Sequence, residues 1–274
     1  MQGKKARTGE RRMRETARYE GRGNLLASVT IGGCLAAFGG LVTALTPGIL
    51  DDFDIETVVA NLPPAVAEGF GLEAIGSPGG FIALELYQYV WLVGLGSYLA
   101  YSAAGSIAGD AQAGRLDMVL AAPLSRRGLL AGKFLAYLVP VLVVNAIVGG
   151  VVIGVNTAVG AGIEPAWLVA VHLLSVPYLL VCCAIGVTAS VFADRRSQAE
   201  GVAVGTVVGT FVLSTLLGGT ALGGLTRLTP ASYYDPLAIL TTGEYDLLGA
   251  GVLLAATVGL LAVAAAGFER ADIA

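Results

Sequence analysis

Six long stretches of this 274-residue chain consist almost entirely of apolar residues, and they limit the possible folds more than any other feature. Each is long enough for an α-helix to cross the roughly 30 Å hydrocarbon core of a bilayer at about 1.5 Å per residue. Charged residues make up 13 % of the chain, about half of the roughly 25 % typical of soluble domains. The sequence therefore predicts an all-α integral membrane protein with six transmembrane helices, at Leu25–Leu45, Ile82–Ile107, Phe134–Val155, Trp167–Phe192, Val202–Leu225 and Leu247–Phe268.

A basic, amphipathic leader at residues 1–23 precedes the six-helix membrane domain, which we place at residues 24–274. A cleaved signal peptide has an apolar core of about 7–15 residues. The first apolar stretch is longer than that, and its basic leader is also long. We therefore expect the stretch to remain in the chain as the first membrane helix.

Lysine and arginine indicate the orientation of the chain, because they concentrate in cytoplasmic loops. With six membrane helices, every basic residue except Arg227 falls on the same side. Both termini are therefore predicted to be cytoplasmic. In the outer loop before the sixth helix, Pro230 and Pro236 are each placed to open a short helix, and Tyr233 and Tyr234 suit the membrane interface.

Few polar side chains lie within the apolar stretches. Glu85 and Gln88, near the outer end of the second stretch, are candidates for a gate or substrate contact, with an interfacial or helix-pairing role as the alternative. His172 is interpreted as a hydrogen-bonding residue in helix packing. No carboxylate lies near a midplane position, which argues against an ion-coupled carrier. No hydrolase motif or metal-ligand spacing occurs, so neither a catalytic residue nor a metal site is predicted.

Three glycines at the start of the fifth stretch recur at every fourth residue and so lie on one face of a helix. They are Gly201, Gly205 and Gly209. A helix face without side chains lets the backbone of another helix approach closely. The spacing predicts a tight helix interface, either within the chain or between two chains.

A charged loop, GDAQAGRLDMVLAAPLSRRGLLAGKF at residues 109–134, separates the second and third stretches. It is not a P-loop, since GLLAGKF lacks one residue between the glycines and has phenylalanine where a hydroxyl is required. Leu116, Val119 and Leu120 form an apolar stripe on a short helix that Pro123 would end. Ser125 is placed to cap the following helix. The loop is either an interfacial helix with basic anchors, Arg126, Arg127 and Lys133 among them, or a helix that docks a cytoplasmic partner.

The loop carries an ordered run of residues: Asp110, Gly114, Asp117, Leu120, Pro123, Leu124, Ser125, Arg126, Leu129, Gly132 and Lys133. With six membrane helices, the Pro-Ala-Ser-Tyr-Tyr-Asp-Pro stretch at 230–236 and the ending at 268–273, this run resembles the ABC-2-type transporter permeases. The resemblance covers nearly the whole chain. It departs from the family pattern at Arg115, where threonine is frequent, and at Asp110, where glutamate is frequent.

The resemblance implies the membrane subunit of an ATP-driven exporter in the plasma membrane of a prokaryote. It implies no enzymatic activity and no cofactor on this chain, because ATP and magnesium would bind a separate ABC ATPase subunit. The other implied partners are a second permease copy and the bilayer, with no nucleic acid. The cytoplasmic coupling helix would comprise Asp110, Gly114, Arg115, Leu116, Asp117, Leu120, Pro123, Leu124, Ser125 and Arg126.

Two other functions remain open on the sequence. One is an ion-coupled secondary carrier, for which Glu85 would be the residue to neutralise. The other is a non-transporting membrane anchor or assembly factor that recruits a cytoplasmic protein through the same loop.

Overall fold

The computed structural model describes residues 2–52, 55–62, 72–114, 125–218, 220 and 222–270, with side chains from Gly23 onward. Within these ranges the chain is helical and contains no strand. Six helical segments are long and apolar enough to cross a membrane, as the sequence predicts. These spans are Gly23–Asp52, Pro78–Gln112, Arg126–Val159, Pro165–Phe192, Arg196–Leu217 and Leu247–Arg270.

The first span belongs to a continuous helix, Gln2–Asp52, so the predicted boundary between leader and membrane domain falls inside one helix. Its hydroxyl side chains donate to carbonyls one turn back, as Thr43 Oγ1 does to the Gly39 oxygen at 2.7 Å. Such bonds leave few polar groups for lipid to cover. After this helix the described chain forms the short helix Ile55–Ala60.

The second span contains an element that the sequence does not predict. Ser77 caps its start, accepting a hydrogen bond from the Gly80 N–H at 3.1 Å, and the short helix Pro78–Ile82 follows. Ala83–Leu95 then form a π-helix, and Gly96–Gln112 return to α-helix. The change from α-helix to π-helix and back makes this span irregular. π-helices are rare and are frequently found at functional sites.

The second and fourth spans form the centre of the bundle, and small residues allow them to pack closely. A Cβ atom at Gly186 would collide with the backbone oxygen of Ala100. A Cβ atom at Gly96 would lie 3.2 Å from Cys182 Sγ. Glycine and alanine at such contacts let helix backbones approach one another.

The third span begins eight residues earlier than predicted and is interrupted. It consists of Arg126–Ala136 and Leu138–Val159, with a turn at Tyr137. Pro140 explains the interruption, because proline has no N–H to donate to the carbonyl four residues back and its ring crowds that carbonyl. The Tyr137 hydroxyl donates to the Ser102 oxygen at 2.7 Å and ties the turn to the second span.

The predicted end of the fifth span, Leu225, is wrong. The helix ends at Leu217, and a 3₁₀-helix at Gly223–Leu228 follows. The predicted short helices are confirmed, at Pro230–Tyr233 and Pro236–Thr242.

The prediction that both tyrosines of this segment lie at the membrane interface is wrong for Tyr234, which is buried. Only 3 % of it is exposed, and its hydroxyl donates to the Val171 oxygen at 3.0 Å. Burial raises the pKa of the Tyr234 hydroxyl well above its usual range, and the nearby carboxylate of Asp235 acts in the same direction. The side chain therefore stays neutral and holds the segment against the fourth span.

Candidate functional site

The Arg-rich end of the bundle is the end at which Asp110, Ser125, Arg196 and Phe268 meet. At its centre Lys133 Nζ lies 2.6 Å from Asp110 Oδ2. The Lys133 side chain is 4 % exposed and that of Asp110 is 17 % exposed. The pair joins the last turn of the second span to the first turns of the third. It therefore closes the base of the loop between the two spans.

Lys133 was interpreted from the sequence as a basic anchor at the membrane edge, and that interpretation is wrong. Its side chain is buried beside Leu129 and Phe134 of the same helix, which belong to the core. A buried ammonium group requires a paired anion. The pairing of Lys133 with Asp110 could be suspected only by noting that both residues flank the same loop.

Arg126 and Arg127 connect the start of the third span to the end of the sixth. Arg126 Nη1 donates to the Phe268 oxygen at 2.8 Å, and its guanidinium carbon lies 5.7 Å from the centre of the Phe268 ring. Arg127 Nε lies 2.6 Å from Glu269 Oε1 on the surface. The loop run and the Phe-Glu-Arg ending, two of the three stretches that carry the family resemblance, therefore touch each other.

Gly114 and Ser125 are the last described residues before and after residues 115–124 of the loop. Ser125 caps the third span as predicted, accepting a hydrogen bond from the Gly128 N–H at 3.1 Å. Gly114 follows the end of the second span with a φ of +64°, in the left-handed region that glycine tolerates best. The remaining predicted coupling residues lie outside the described residues, and their roles stay predictions: Arg115, Leu116, Asp117, Leu120, Pro123 and Leu124.

Arg196 is a residue of this end that sequence reasoning missed. It starts the fifth span and pairs with Glu200, Nε to Oε1, at 2.7 Å. Its side chain lies over the second span, where a Cβ atom at Gly105 would be 3.2 Å from its Nε and one at Gly109 would be 3.4 Å from its Cδ. The available signal in the sequence was the pair of glycines four residues apart on the second span, Gly105 and Gly109.

A buried polar chain crosses the interior and connects the second, third and fourth spans. Tyr87 Oη lies 3.0 Å from His172 Nε2, and His172 Nδ1 lies 3.1 Å from Asn145 Oδ1. Ser175 also donates to Asn145 Oδ1, at 3.1 Å. Because that oxygen can only accept, Nδ1 of His172 carries the proton and Nε2 accepts from Tyr87. The predicted role of His172 in helix packing is confirmed.

The candidate gate residues Glu85 and Gln88 lie in the π-helix toward the distal end, the end formed by Pro78, Glu164 and residues 222–246. Both side chains are half-buried. Gln88 lines a cavity of about 330 Å³ beside the fifth span, and Glu85 is not among the residues of its wall. The structure therefore separates the two candidates and places only Gln88 at a space that a ligand could enter.

The glycine face of the fifth span, Gly201, Gly205 and Gly209, is exposed. No described atom lies within 4 Å of a Cβ built at any of the three positions. The within-chain interface that the sequence left open does not form among the described residues. Among the described residues the face is therefore open to a second molecule.

Six spans, a loop whose base is closed by a buried ion pair, and an arginine link to the last span together describe a multi-pass membrane protein. The comparison with known families gives the particular family. The sequence model of the ABC-2 family transporter proteins matches residues 51–273. The chain therefore belongs to the ABC-2 family and is an ABC transporter permease. No curated protein matched the chain.

Proposed function

We propose that this permease is driven by a separate ABC ATPase subunit, which docks at the Arg-rich end, and that it works as an exporter. The Arg-rich end is then cytoplasmic, and the chain lies in the plasma membrane of a prokaryote with both termini inside. ATP and magnesium bind the partner. Two permease copies complete the transporter.

One observation carries the proposal: the described ends of the loop, Gly114 and Ser125, adjoin two helices that a buried ion pair holds together. A force applied to such a loop moves both helices, because the Lys133–Asp110 contact fixes the base. Arg126 passes the movement on to the sixth span through the Phe268 carbonyl. In this arrangement Arg126 contacts the sixth span of the permease and not the partner. The partner would contact the residues between Gly114 and Ser125.

The test is assembly and ATP hydrolysis with the co-purified ATPase in lipid nanodiscs. Changing Asp117→Lys together with Leu120→Glu inverts one charge and breaks the apolar stripe, so we expect loss of assembly or of permease-stimulated ATP hydrolysis. Asp194→Lys, an exposed change at the same end of the bundle, is the matched control and should leave both intact. Normal assembly and stimulation in the double variant would refute the coupling assignment.

Flux measurements distinguish the two other functions. An ion-coupled carrier would transport without ATP, would stop when the ion gradient is dissipated and would depend on Glu85, so Glu85→Gln is the variant to compare. A membrane anchor would bind its cytoplasmic partner without flux and without stimulating ATP hydrolysis. The proposed permease requires ATP and tolerates Glu85→Gln.

A further inference from the structure

Two cavities at the distal end share a wall. The hydroxyl cavity, about 330 Å³, lies between Gln88 of the second span, Phe211 of the fifth span and the segment at 222–246. The tyrosine cavity, about 420 Å³, lies between Leu174 of the fourth span and the start of the sixth. Ser232, Tyr234 and Asp235 line both. Each volume lies within the roughly 300–1,000 Å³ of small-molecule sites.

The hydroxyl groups of the hydroxyl cavity offer acceptors rather than donors. Ser214 and Thr215 both donate to the Phe211 oxygen, at 2.7 Å and 3.1 Å. Thr226 donates to the Gly223 oxygen at 2.7 Å, and Ser232 donates to the Thr226 oxygen at 2.6 Å. Each hydroxyl proton is thus used by the backbone, while each oxygen keeps lone pairs for a ligand.

Asp235 adds a negative charge on the shared wall. Its Oδ1 atom accepts from the N–H groups of Leu237 and Ala238, at 2.9 Å and 3.0 Å, and so caps the short helix Pro236–Thr242. Both bonds reach the same oxygen, so the carboxylate keeps Oδ2 for a ligand. Leu92 and Phe211 supply apolar wall on the other side of the cavity.

The tyrosine cavity has the same electrostatic character. Tyr233, Tyr234 and Tyr245 line it together with Glu244 and Asp246. The Tyr233 hydroxyl donates to the Arg227 oxygen at 2.7 Å, so this donor is used as well. Aromatic faces beside carboxylates attract cations. No lysine, arginine or histidine lines either cavity among the described residues.

We propose that the two cavities form one binding site for an amphipathic organic cation that carries N–H donors, of the alkylammonium class. The ammonium group would bind at Asp235 and the hydroxyl oxygens, and the apolar part would lie against Leu92 and Phe211. Acidic walls without a counter-charge disfavour anions such as fatty acids or phosphorylated lipids. As the substrate class of the transporter, this inference rests on the proposed function, but binding itself requires no ATPase.

The probe is octylammonium, titrated calorimetrically into the permease alone in phosphatidylcholine nanodiscs, with empty nanodiscs subtracted. We expect saturable binding to the protein. Octyltrimethylammonium keeps the charge without N–H groups and should bind about tenfold more weakly, because it cannot donate to the hydroxyl oxygens. Octanoate, with the opposite charge, should show no saturable binding.

Asp235→Asn is the decisive variant, because asparagine caps helices about as well as aspartate and so removes the charge while keeping the fold. We expect about a tenfold loss of octylammonium affinity. Ser214→Ala removes one acceptor and should weaken binding by a smaller factor. Glu164→Gln neutralises an exposed carboxylate of the distal end that lines neither cavity, and it should leave binding unchanged.

Equal affinity in the wild type and in Asp235→Asn, or equal binding of octanoate and octylammonium, would overturn the site. If Glu164→Gln weakened octylammonium binding as much as Asp235→Asn does, the binding would reflect general surface charge. That result would also overturn the site. The outcome is separate from the coupling test. Specific octylammonium binding by a permease that fails to stimulate its ATPase would keep the site and refute the proposed drive.

Discussion

At the scale of single residues, several polar groups of this bundle are held in pairs and chains. Lys133 meets Asp110, Arg126 meets the Phe268 carbonyl, and His172 has partners on both ring nitrogens. In an apolar interior a lone polar group costs more free energy than a satisfied pair contributes. Each pair therefore fixes the register of two helices without requiring a strong net interaction.

The Lys133–Asp110 pair leads to a stability prediction. Lys133→Met removes the ammonium group that faces the mostly buried carboxylate of Asp110, and we expect the free energy of unfolding to fall by about 3 kcal/mol. The double variant Lys133→Met with Asp110→Asn removes both charges and should recover much of that loss. Thermal unfolding in detergent would measure both.

Arg127→Gln is the control for this prediction. It breaks the ion pair between Arg127 and Glu269. The Arg127 side chain is 70 % exposed and the Glu269 side chain is 43 % exposed. Exposed pairs contribute only about 0–1 kcal/mol, so the unfolding temperature should barely change. If Lys133→Met were as mild as Arg127→Gln, the ion pair would not hold the base of the loop.

Sequence reasoning reached one side of the candidate site and missed the contacts that organise it. It identified Asp110, Ser125 and Arg126, and it predicted the Ser125 cap, because caps and motif order are local properties of the chain. It missed the pairing of Lys133 and the position of Arg196 over Gly105. Those contacts join residues far apart in the sequence, and local patterns contain no information about such distances.

At the scale of elements, the six spans were predictable and their irregularities were not. Length and the absence of charge determine that a segment crosses the membrane, so all six spans were found. The π-helix at Ala83–Leu95 and the early end of the fifth span at Leu217 depend on neighbouring helices. Tyr178, for example, donates to the Leu92 oxygen of the π-helix at 3.0 Å, a contact that hydropathy does not reveal.

The contact between the second and fourth spans gives a prediction at this scale. Gly186→Ala places a methyl group against the Ala100 backbone oxygen, which no side-chain rotation can relieve. The two helices must separate, and we expect a loss of about 1–3 kcal/mol, as for other overpacked interiors. Thermal unfolding in detergent would show it as a lower midpoint.

Gly154→Ala is the matched control for that substitution. Gly154 also lies within a membrane helix, but no described atom lies within 4 Å of a Cβ at this position. Alanine forms helices better than glycine by about 1 kcal/mol, so this variant should unfold at the same or a higher temperature. A neutral Gly186→Ala would show that the spans are less tightly packed than the structure indicates.

At the scale of the whole molecule, the chain is polarised between two ends with different chemistry. The Arg-rich end gathers the ion pairs and the family motifs of the loop and the C-terminal ending, whereas the distal end gathers carboxylates, tyrosines, the two cavities and the family motif at 230–236. The buried chain from Tyr87 to Asn145 lies in the spans between them. A permease that converts a push at one end into access at the other would require this division.

The exposed glycine face of the fifth span gives the last prediction, which concerns the pairing of two permeases. Gly201, Gly205 and Gly209 touch nothing within 4 Å in the described chain, although glycine faces in membranes pack closely with other helices. Gly205→Leu would hold an approaching helix away, so we expect less crosslinked dimer and a smaller assembly in nanodiscs. Gly154→Leu, at an equally open glycine of the third span, should leave the oligomer unchanged. Unchanged crosslinking in Gly205→Leu would place the subunit contact on another face of the bundle.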